Sequence, residues 1–559
     1  MTKYRAVLVA LLLAVTTVFV STGPASALAS PSGFGIHGTP TKTAIGLQWK
    51  WSKKPDHYRI QASRSKTFKK KILSKRVARA GKKPKHGKQQ FTVRSLKSGT
   101  RYYFRVRAEK KHKHSHWSPV RTAVTEAGWP DAMTNFRATP GPGVGQATFR
   151  WNSTGANIAT FRIGLALYVF SFKGAKPASY RTFKIPAAAA RESRGHYKWT
   201  LSAAQFASVG AKVSSANFVY AQLAGINADH SITRAGKPMT SVMPRGMPAN
   251  GGGTPITVAQ YNIRSANLPK DTGDAAWSSR KVDVAQNIVD SDADIVTLDE
   301  DSPAAYGGST QIASLLKEIN NIAGHNSYAY NRENPFKMGA TASGGTQGSR
   351  ILFNQRLFQQ VAADKCIDAA APAGSTTSSC AFVPGNDDRW ASYVHLELRS
   401  NPKVRFWVVA AHPYPKQGSA AAEKIRADEV KAVIAKMNTL NQRYDDPVIL
   451  GMDSNTYQTY QPHPSLSRNA LTGAGGYYDT AASYNVINRI GNYKYSTNNT
   501  KDYGVRAQRP ISGIGLGNRL DVIATKGIAG ANDFFIQRSS DKWPGSDHNL
   551  VWTKIELPK

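Results

Sequence analysis

From residue 255 onward, short apolar runs end one after another on a carboxamide, a carboxylate or an imidazole. Val258-Ala259-Gln260-Tyr261 leads to Asn262, and Ile295-Val296-Thr297-Leu298-Asp299 leads to Glu300. Trp407-Val408-Val409-Ala410-Ala411 leads to His412, and Val448-Ile449-Leu450-Gly451-Met452 leads to Asp453 and Asn455. Runs this short and this apolar are buried strands. Helix-like stretches, Ser279 to Ser291 and Ala420 to Leu440, stand between them. Strands alternating with helices predict an α/β layered domain over 255–559, with its chemistry at the strand ends.

The first 254 residues follow another grammar. Ile45 to Trp51 and Tyr58 to Ala62 alternate apolar and polar residues, and Tyr102 to Ala108 is rich in β-formers. Turn residues separate these runs, so residues 31–127 predict an all-β sandwich. Residues 129–245 predict a second, more divergent module. There Ala147 to Asn152 parallels the first tryptophan strand and Phe218 to Ala224 a late strand, but the stretch between them is longer than usual. The Gly-rich segment 246–254 is expected to be a linker.

The N-terminus is a targeting segment. Lys3 and Arg5 precede an apolar run from Ala6 to Val20, and Ala25-Ser26-Ala27 offers a small-residue cleavage site. Residues 1–27 are thus expected to be a signal peptide, the run being short for the ~20 residues of a membrane span. The expected location is secreted or extracellular, at the cell surface if something there holds the chain. No later stretch is long and apolar enough to span a bilayer. Outside the cell, Cys366 and Cys380 could form one bridge.

The formal net charge is +39, and it is unevenly placed. Residues 31–128 carry 26 Lys/Arg against 3 acids, while residues 255–559 carry 32 against 29. The excess is densest from Lys66 to Lys88 and from Lys110 to His116. Such an asymmetry points to a polyanion partner: nucleic acid, acidic cell-wall polymer, anionic lipid or sulfated polysaccharide. The histidines at 112, 114 and 116 read as part of a basic loop.

The ordered set Tyr261-Asn262, Leu298-Asp299-Glu300, Ala411-His412, Met452-Asp453-Ser454-Asn455, Arg519-Leu520-Asp521 and Ser546-Asp547-His548 resembles the endonuclease/exonuclease/phosphatase superfamily, which has the deoxyribonuclease-I-like fold. Asp299 stands where that family has Gln, Met452 where it has Gly, and Pro413 follows the first histidine. Some secreted nucleases of the family orient that histidine with a further acid, and Ser349 occupies the expected place here. Residues 31–127 resemble a fibronectin type III module through Trp51, Tyr58, the Leu96 to Tyr102 corner and Trp117-Ser118-Pro119. The resemblances imply fibronectin type III-like sandwiches followed by a four-layer α/β sandwich.

They also imply a metal-dependent phosphoester hydrolase. By resemblance, Glu300, Asn262 and Asp547 would bind Mg²⁺, with Mn²⁺ or Ca²⁺ as alternatives. His548 would contact the scissile phosphate, oriented by Asp521. Asp453 would activate water, Asn455 would donate to a phosphate oxygen, His412 would be the second phosphate-contacting histidine and Arg389 would grip phosphate. Hard oxygen ligands suit Mg²⁺, and an aspartate beside an imidazole raises its pKa and fixes its tautomer. The family cleaves DNA, RNA, sphingomyelin and smaller phosphoesters. Secretion and the basic modules favour a nuclease of low sequence specificity. The alternative is a secreted sphingomyelinase-like phospholipase C or another phosphoester hydrolase.

Overall fold

The computed structural model describes residues 28–69, 71–126, 130–168, 170, 172, 174–227, 233–236, 239–249, 252–266, 275–303, 305–306, 309–331, 347–361, 381–382, 389–416, 419–456, 465–483, 497–498, 519–528, 530–537 and 545–559. The expected signal peptide and the Cys366–Cys380 bridge lie outside the described residues. Among the described residues, no helix is long and apolar enough to cross a membrane. The chain forms two compact units, Met1–Trp129 with Asn227–Ile232, and Pro130–Ile226 with Thr233–Lys559.

The first unit is an all-β sandwich. One sheet holds Gly35–His37, Ile45–Lys50 and Lys88–Val93. The other runs Lys71–Ala78, His57–Ser63, Arg101–Lys110, Lys113–His114, with Arg121–Val124 on the far side of Arg101–Lys110. Period-two alternation sends Ile45, Leu47 and Trp49 inward to meet Tyr58, Ile60, Tyr102, Phe104 and Val106. The core tryptophan is therefore Trp49, 5.1 Å from the Tyr58 ring, and not Trp51. Trp51 lies just past the strand end, half-buried, with its indole N–H on the Ala80 carbonyl.

In the second unit, residues 130–245 form two further sheets around Phe149, Trp151, Phe161 and Tyr197. The extra length holds the Arg181–Pro186 strand and a short helix, Ala203–Ser208, closed by a reciprocal Ser202–Gln205 cap. Phe218, Tyr220 and Met243 leave that core and join the apolar cluster of the C-terminal sandwich. Ser215 and Thr472 share a hydroxyl hydrogen bond, and Met247 N–H donates to the Tyr478 hydroxyl at 2.9 Å.

Residues from Thr254 onward form the expected four layers. The first sheet runs Asp533–Gln537, Leu550–Leu557, Thr254–Asn262, Ile295–Asp301, Gln347–Asn354, whose start pairs briefly and in parallel with Arg389–Leu398 and so joins it to the second. The second runs Arg389–Leu398, Asn401–Ala411, Val448–Asp453, Asp521–Lys526, Tyr478–Asp479. The inner faces meet through Val258, Ile295, Ile351, Val408, Ile449 and Ile523. Helices Trp277–Asp290 and Gln311–Ala323 cover the first sheet through Val284, Ile288, Leu315 and Ile319. Helix Ala420–Asn441 covers the second through Val430, Val433 and Met437. Burying a sheet on both faces explains why these strands read as continuous apolar runs.

One glycine sets the distance between the sheets. A Cβ on Gly451 would lie 1.9 Å from Thr297 Oγ1. Only glycine allows Val448–Asp453 to cross so close over Ile295–Asp301. That approach brings Asp453 against residues of the first sheet.

Candidate active site

Register gathers the polar strand ends at one edge of the sandwich. Thr254–Asn262 and Ile295–Asp301 run parallel with Asn262 opposite Asp299, so Asn262 and Glu300 emerge together. Asn401–Ala411 runs parallel to Val448–Asp453 with Ala411 opposite Met452, placing His412 beside Asp453. Asp453 pairs directly with Asp521 in the next, antiparallel strand. His548 precedes Leu550–Leu557, which pairs antiparallel with Thr254–Asn262.

Glu300 lies in an irregularity of the ladder, where the register shifts between Leu298 and Asp301, and its φ is +64°. A non-glycine residue in that region costs of order 1–3 kcal/mol and persists only where the surroundings enforce it. Its Oε1 accepts from Asn262 Nδ2 at 3.0 Å, and its Oε2 accepts from Ser265 N–H at 3.3 Å and Gln347 Nε2 at 3.4 Å. The Asn262 amide also donates to Asp453 Oδ2 at 3.0 Å, joining the two sheets.

Asp453 is the hub. Its Oδ1 accepts from Asn455 N–H at 2.9 Å, and its Oδ2 lies 3.3 Å from His412 Nε2 and 3.5 Å from His548 Nε2. Burial alone would raise its pKa, but the His548 and His412 imidazoles overcome that and hold it well below the usual carboxylate range. Asn455, at φ +49°, turns its amide onto the Pro413 carbonyl at 2.9 Å and so links the loops after His412 and after Asp453.

His548 Nδ1 lies 2.8 Å from Asp521 Oδ2. Burial would lower the imidazole pKa, yet Asp521 and Asp453 raise it well above its ordinary value. Asp453, Asp521 and His548 each offer a ligand atom within 4.8 Å of the others. Both ring nitrogens of His548 face carboxylates, and that environment favours imidazolium, which has no lone pair for a metal.

Asp547 sits beside this group rather than in it. Its Oδ2 accepts from Arg264 Nη1 at 2.8 Å, while Arg264 N–H donates to Asn262 Oδ1 at 3.0 Å. Arg389 opens the Arg389–Leu398 strand, but its side chain lies outside the described residues. Seven of the nine expected residues thus form one contact network, Asn262, Glu300, His412, Asp453, Asn455 (through its backbone N–H), Asp521 and His548.

Two features escaped the sequence reading. Buried Arg280, on helix Trp277–Asp290, donates to the carbonyls of Ala275, Ile263, Gly545, Arg264 and Ser265. It clamps the loop after Asn262 to the segment before His548. Asp299 is also more than a departure from a motif. Its carboxylate lies between the sheets, accepting from Gln260 Nε2 and Asp453 N–H at 2.7 Å each and from the Ser349 hydroxyl at 2.8 Å. Burial lifts its pKa to about 7, against the opposing pull of His412.

The donors fit a hard divalent cation. A carboxylate and a carboxamide oxygen, with a second carboxylate held by a guanidinium nearby, supply oxygen and no sulfur or neutral imidazole.

Comparison with known proteins gives four likenesses and one blank. Residues 29–124 match the Fibronectin type III domain model, in keeping with the two-sheet sandwich there. An endonuclease/exonuclease/phosphatase family protein from Bacteroides thetaiotaomicron is 21% identical, covering 55% of this chain and 99% of its own, at a TM-score of 0.37. The human Nocturnin catalytic domain, solved with bound sulfate, is 16% identical, covering 54% and 93%, at 0.34. A two-domain fibronectin type III segment of chicken tenascin is 16% identical, covering 38% and 99%, at 0.25. No curated protein matches.

Proposed function

We propose that the chain is a secreted, divalent-metal-dependent phosphodiester hydrolase, a nuclease acting on extracellular DNA or RNA with little sequence preference. The observation that carries this reading is the position of His548. Its two nitrogens face Asp521 and Asp453, beside the Asn262–Glu300 pair. A phosphodiester repels an anionic nucleophile, so its hydrolysis needs positive charge at the phosphate, a base for water and a donor for the leaving oxygen.

Glu300 and Asn262 would hold the cation, Mg²⁺ by preference with Mn²⁺ or Ca²⁺ as alternatives. Asp547 would join them when it leaves Arg264. The bound cation would neutralise phosphate charge and stabilise the leaving oxygen. Asp453, held ionised, would align or deprotonate the attacking water. Asn262 Nδ2 and Asn455 N–H fix its two oxygens. His548, its pKa raised by Asp521 and Asp453, would place a proton at Nε2 against a phosphate oxygen, with Asp521 setting the ring. His412 would be the second imidazole at the phosphate. One Asn455 N–H is on Pro413, which leaves the other to point at a phosphate oxygen. Arg389 would add a guanidinium to the phosphate.

Plasmid DNA, RNA and sphingomyelin offered side by side test this reading, each with Mg²⁺, with chelator and with the His548→Ala variant. Metal-dependent nicking of DNA or RNA that disappears in the variant is the expected result. Turnover of sphingomyelin without nucleic-acid cleavage would replace it with the phospholipase C reading.

A further inference from the structure

We infer that the outer face of the His57–Ser63, Lys71–Ala78 and Arg101–Lys110 sheet in the first unit is a docking surface for the sugar-phosphate backbone of nucleic acid. This rests on the nuclease reading above and names the part of the chain that captures the substrate.

The register puts three arginines in one row. Arg59 lies directly opposite Arg76 on one side and Arg107 on the other. Like charges facing each other across a sheet are destabilising. A single carboxylate answers them. Glu109 lies 2.7 Å from Arg59 Nε, 3.2 Å from Arg76 Nε and 3.0 Å from Arg107 Nη2, with 8% of its side chain exposed. The next row sets Arg105 opposite Gln61, whose Oε1 accepts from Arg105 Nε at 2.9 Å. Three guanidiniums therefore share one acid, and the fourth, Arg105, rests on a neutral amide.

Two of the four also lie over aromatic rings. Arg105 stands 4.2 Å from the Phe68 ring and 4.3 Å from the Trp117 ring, and Arg107 stands 4.8 Å from Trp117. Ring contacts at Arg105 and Arg107 and contacts through Nε restrict these side chains before any ligand arrives. Arg76 and Arg105 are each anchored at Nε, which leaves their Nη groups to reach a ligand. Fixed, unneutralised guanidinium forks match phosphate oxygens in pairs, which lysines do not.

The dimensions suit a nucleic-acid strand. Three adjacent β-strands span about 10 Å, close to the axial rise of three nucleotides at about 3.4 Å each. Trp117 is already covered by the Arg105 and Arg107 guanidiniums and so is not open for base stacking, which favours contacts to the backbone. Ile72 is the large apolar side chain exposed on Lys71–Ala78, against four arginines, which favours a phosphate backbone over a lipid surface.

The test is equilibrium binding of a labelled DNA duplex to the full chain in chelator, so that no hydrolysis intervenes, as salt is varied. The R76Q/R105Q variant is expected to bind about tenfold or more weaker at low salt. Its log-affinity against log-salt slope should be shallower by about 1.8, from about 0.9 per lost phosphate contact. R76Q alone, at a side chain 46% exposed, should show about half that change with an unaltered melting temperature, which guards against a folding defect. R76K/R105K, which keeps the charge and loses the forks, should weaken binding as well. Replacing Lys82, Lys83 and Lys85 with Gln, on the loop before Lys88–Val93, should change the slope by less than R76Q does. Wild-type binding by R76Q/R105Q, or an equal loss in the lysine variant, would overturn the surface. So would equal competition by a sulfated polysaccharide or polyglutamate at matched charge. Loss of binding in R76Q/R105Q, together with no hydrolysis of the duplex by wild type in Mg²⁺, would support the surface while refuting the nuclease reading.

Discussion

Asn262 Nδ2 donates to Asp453 Oδ2 at 3.0 Å and to Glu300 Oε1 at the same distance. One carboxamide on the first sheet thereby holds the proposed metal carboxylate and the proposed water-activating carboxylate in fixed relation across both sheets. Two buried carboxylates would otherwise repel each other. Asn262→Ala should lower the turnover of a phosphodiester by at least about tenfold, the usual scale for losing a group that orients a ligand. Asn262→Asp should do worse than Ala at low Mg²⁺, because it sets a third negative charge between two others. Steady-state rates against Mg²⁺ concentration check both.

Asp521 is argued to act through His548 alone, so the two should not be additive. His548→Ala should cost about 10²–10⁴-fold in turnover, and Asp521→Asn somewhat less. The double variant should be no slower than His548→Ala. A double variant slower by the product of the two effects would give Asp521 an independent role.

Glu300 has a separate signature in binding. Glu300→Gln should weaken Mg²⁺ affinity in a calorimetric titration, even with no substrate present. His548→Ala should leave that affinity within about twofold, since His548 faces carboxylates and not the cation. Equal loss in both would move the cation to the Asp453–Asp521–His548 triangle.

The same groups set a pH window for stability. Asp453 is held well below its ordinary value of 3.8, so it contributes stability above that pH, lost as pH falls through the folded value. His548 is held well above its ordinary value of 6.5, so it contributes fully below that pH and loses the contribution as pH rises through the folded value. Asp299, raised from 3.8 to about 7, is protonated in the fold over that range and makes stability fall as pH rises through it, so the melting temperature in chelator should be highest near pH 4 and decline on either side. Asp521→Asn removes a charge that raises His548, and the alkaline edge should move to lower pH.

The site was legible because chemistry and burial change together at a strand end. Val448 to Met452 must be apolar to lie between layers, so the carboxylate of Asp453 just beyond stands out. Parity was less secure: Ile45-Gly46-Leu47-Gln48-Trp49-Lys50-Trp51 gives both tryptophans one phase, and only the strand's end at Lys50 decides that Trp49 is inside. Arg280 was illegible, since an arginine on a helix reads as a solvated charge until five carbonyls are seen converging on it. The Asp299–Ser349 bond was hidden for the same reason, its partners lying 50 residues apart.

Packing also decides where the chain can be cut. By sequence, 246–254 is a natural joint, and removing residues 31–245 would be expected to spare turnover. In the structure, Phe218, Tyr220 and Met243 lie in one apolar cluster with the inner faces of the sandwich. Gly253 N–H donates to Glu556 at 3.2 Å, and Ala249 bridges Gly530. Stripping three such side chains of their cover costs roughly 1.5–3 kcal/mol each, against a total stability of about 5–15 kcal/mol. A chain of residues 130–559 should therefore fold and hydrolyse a short substrate at the full-length rate. A chain of residues 246–559 should melt well below it or aggregate, and should recover when residues 130–245 are restored. Equal melting temperatures for the two truncations would mean that the shared cluster contributes little.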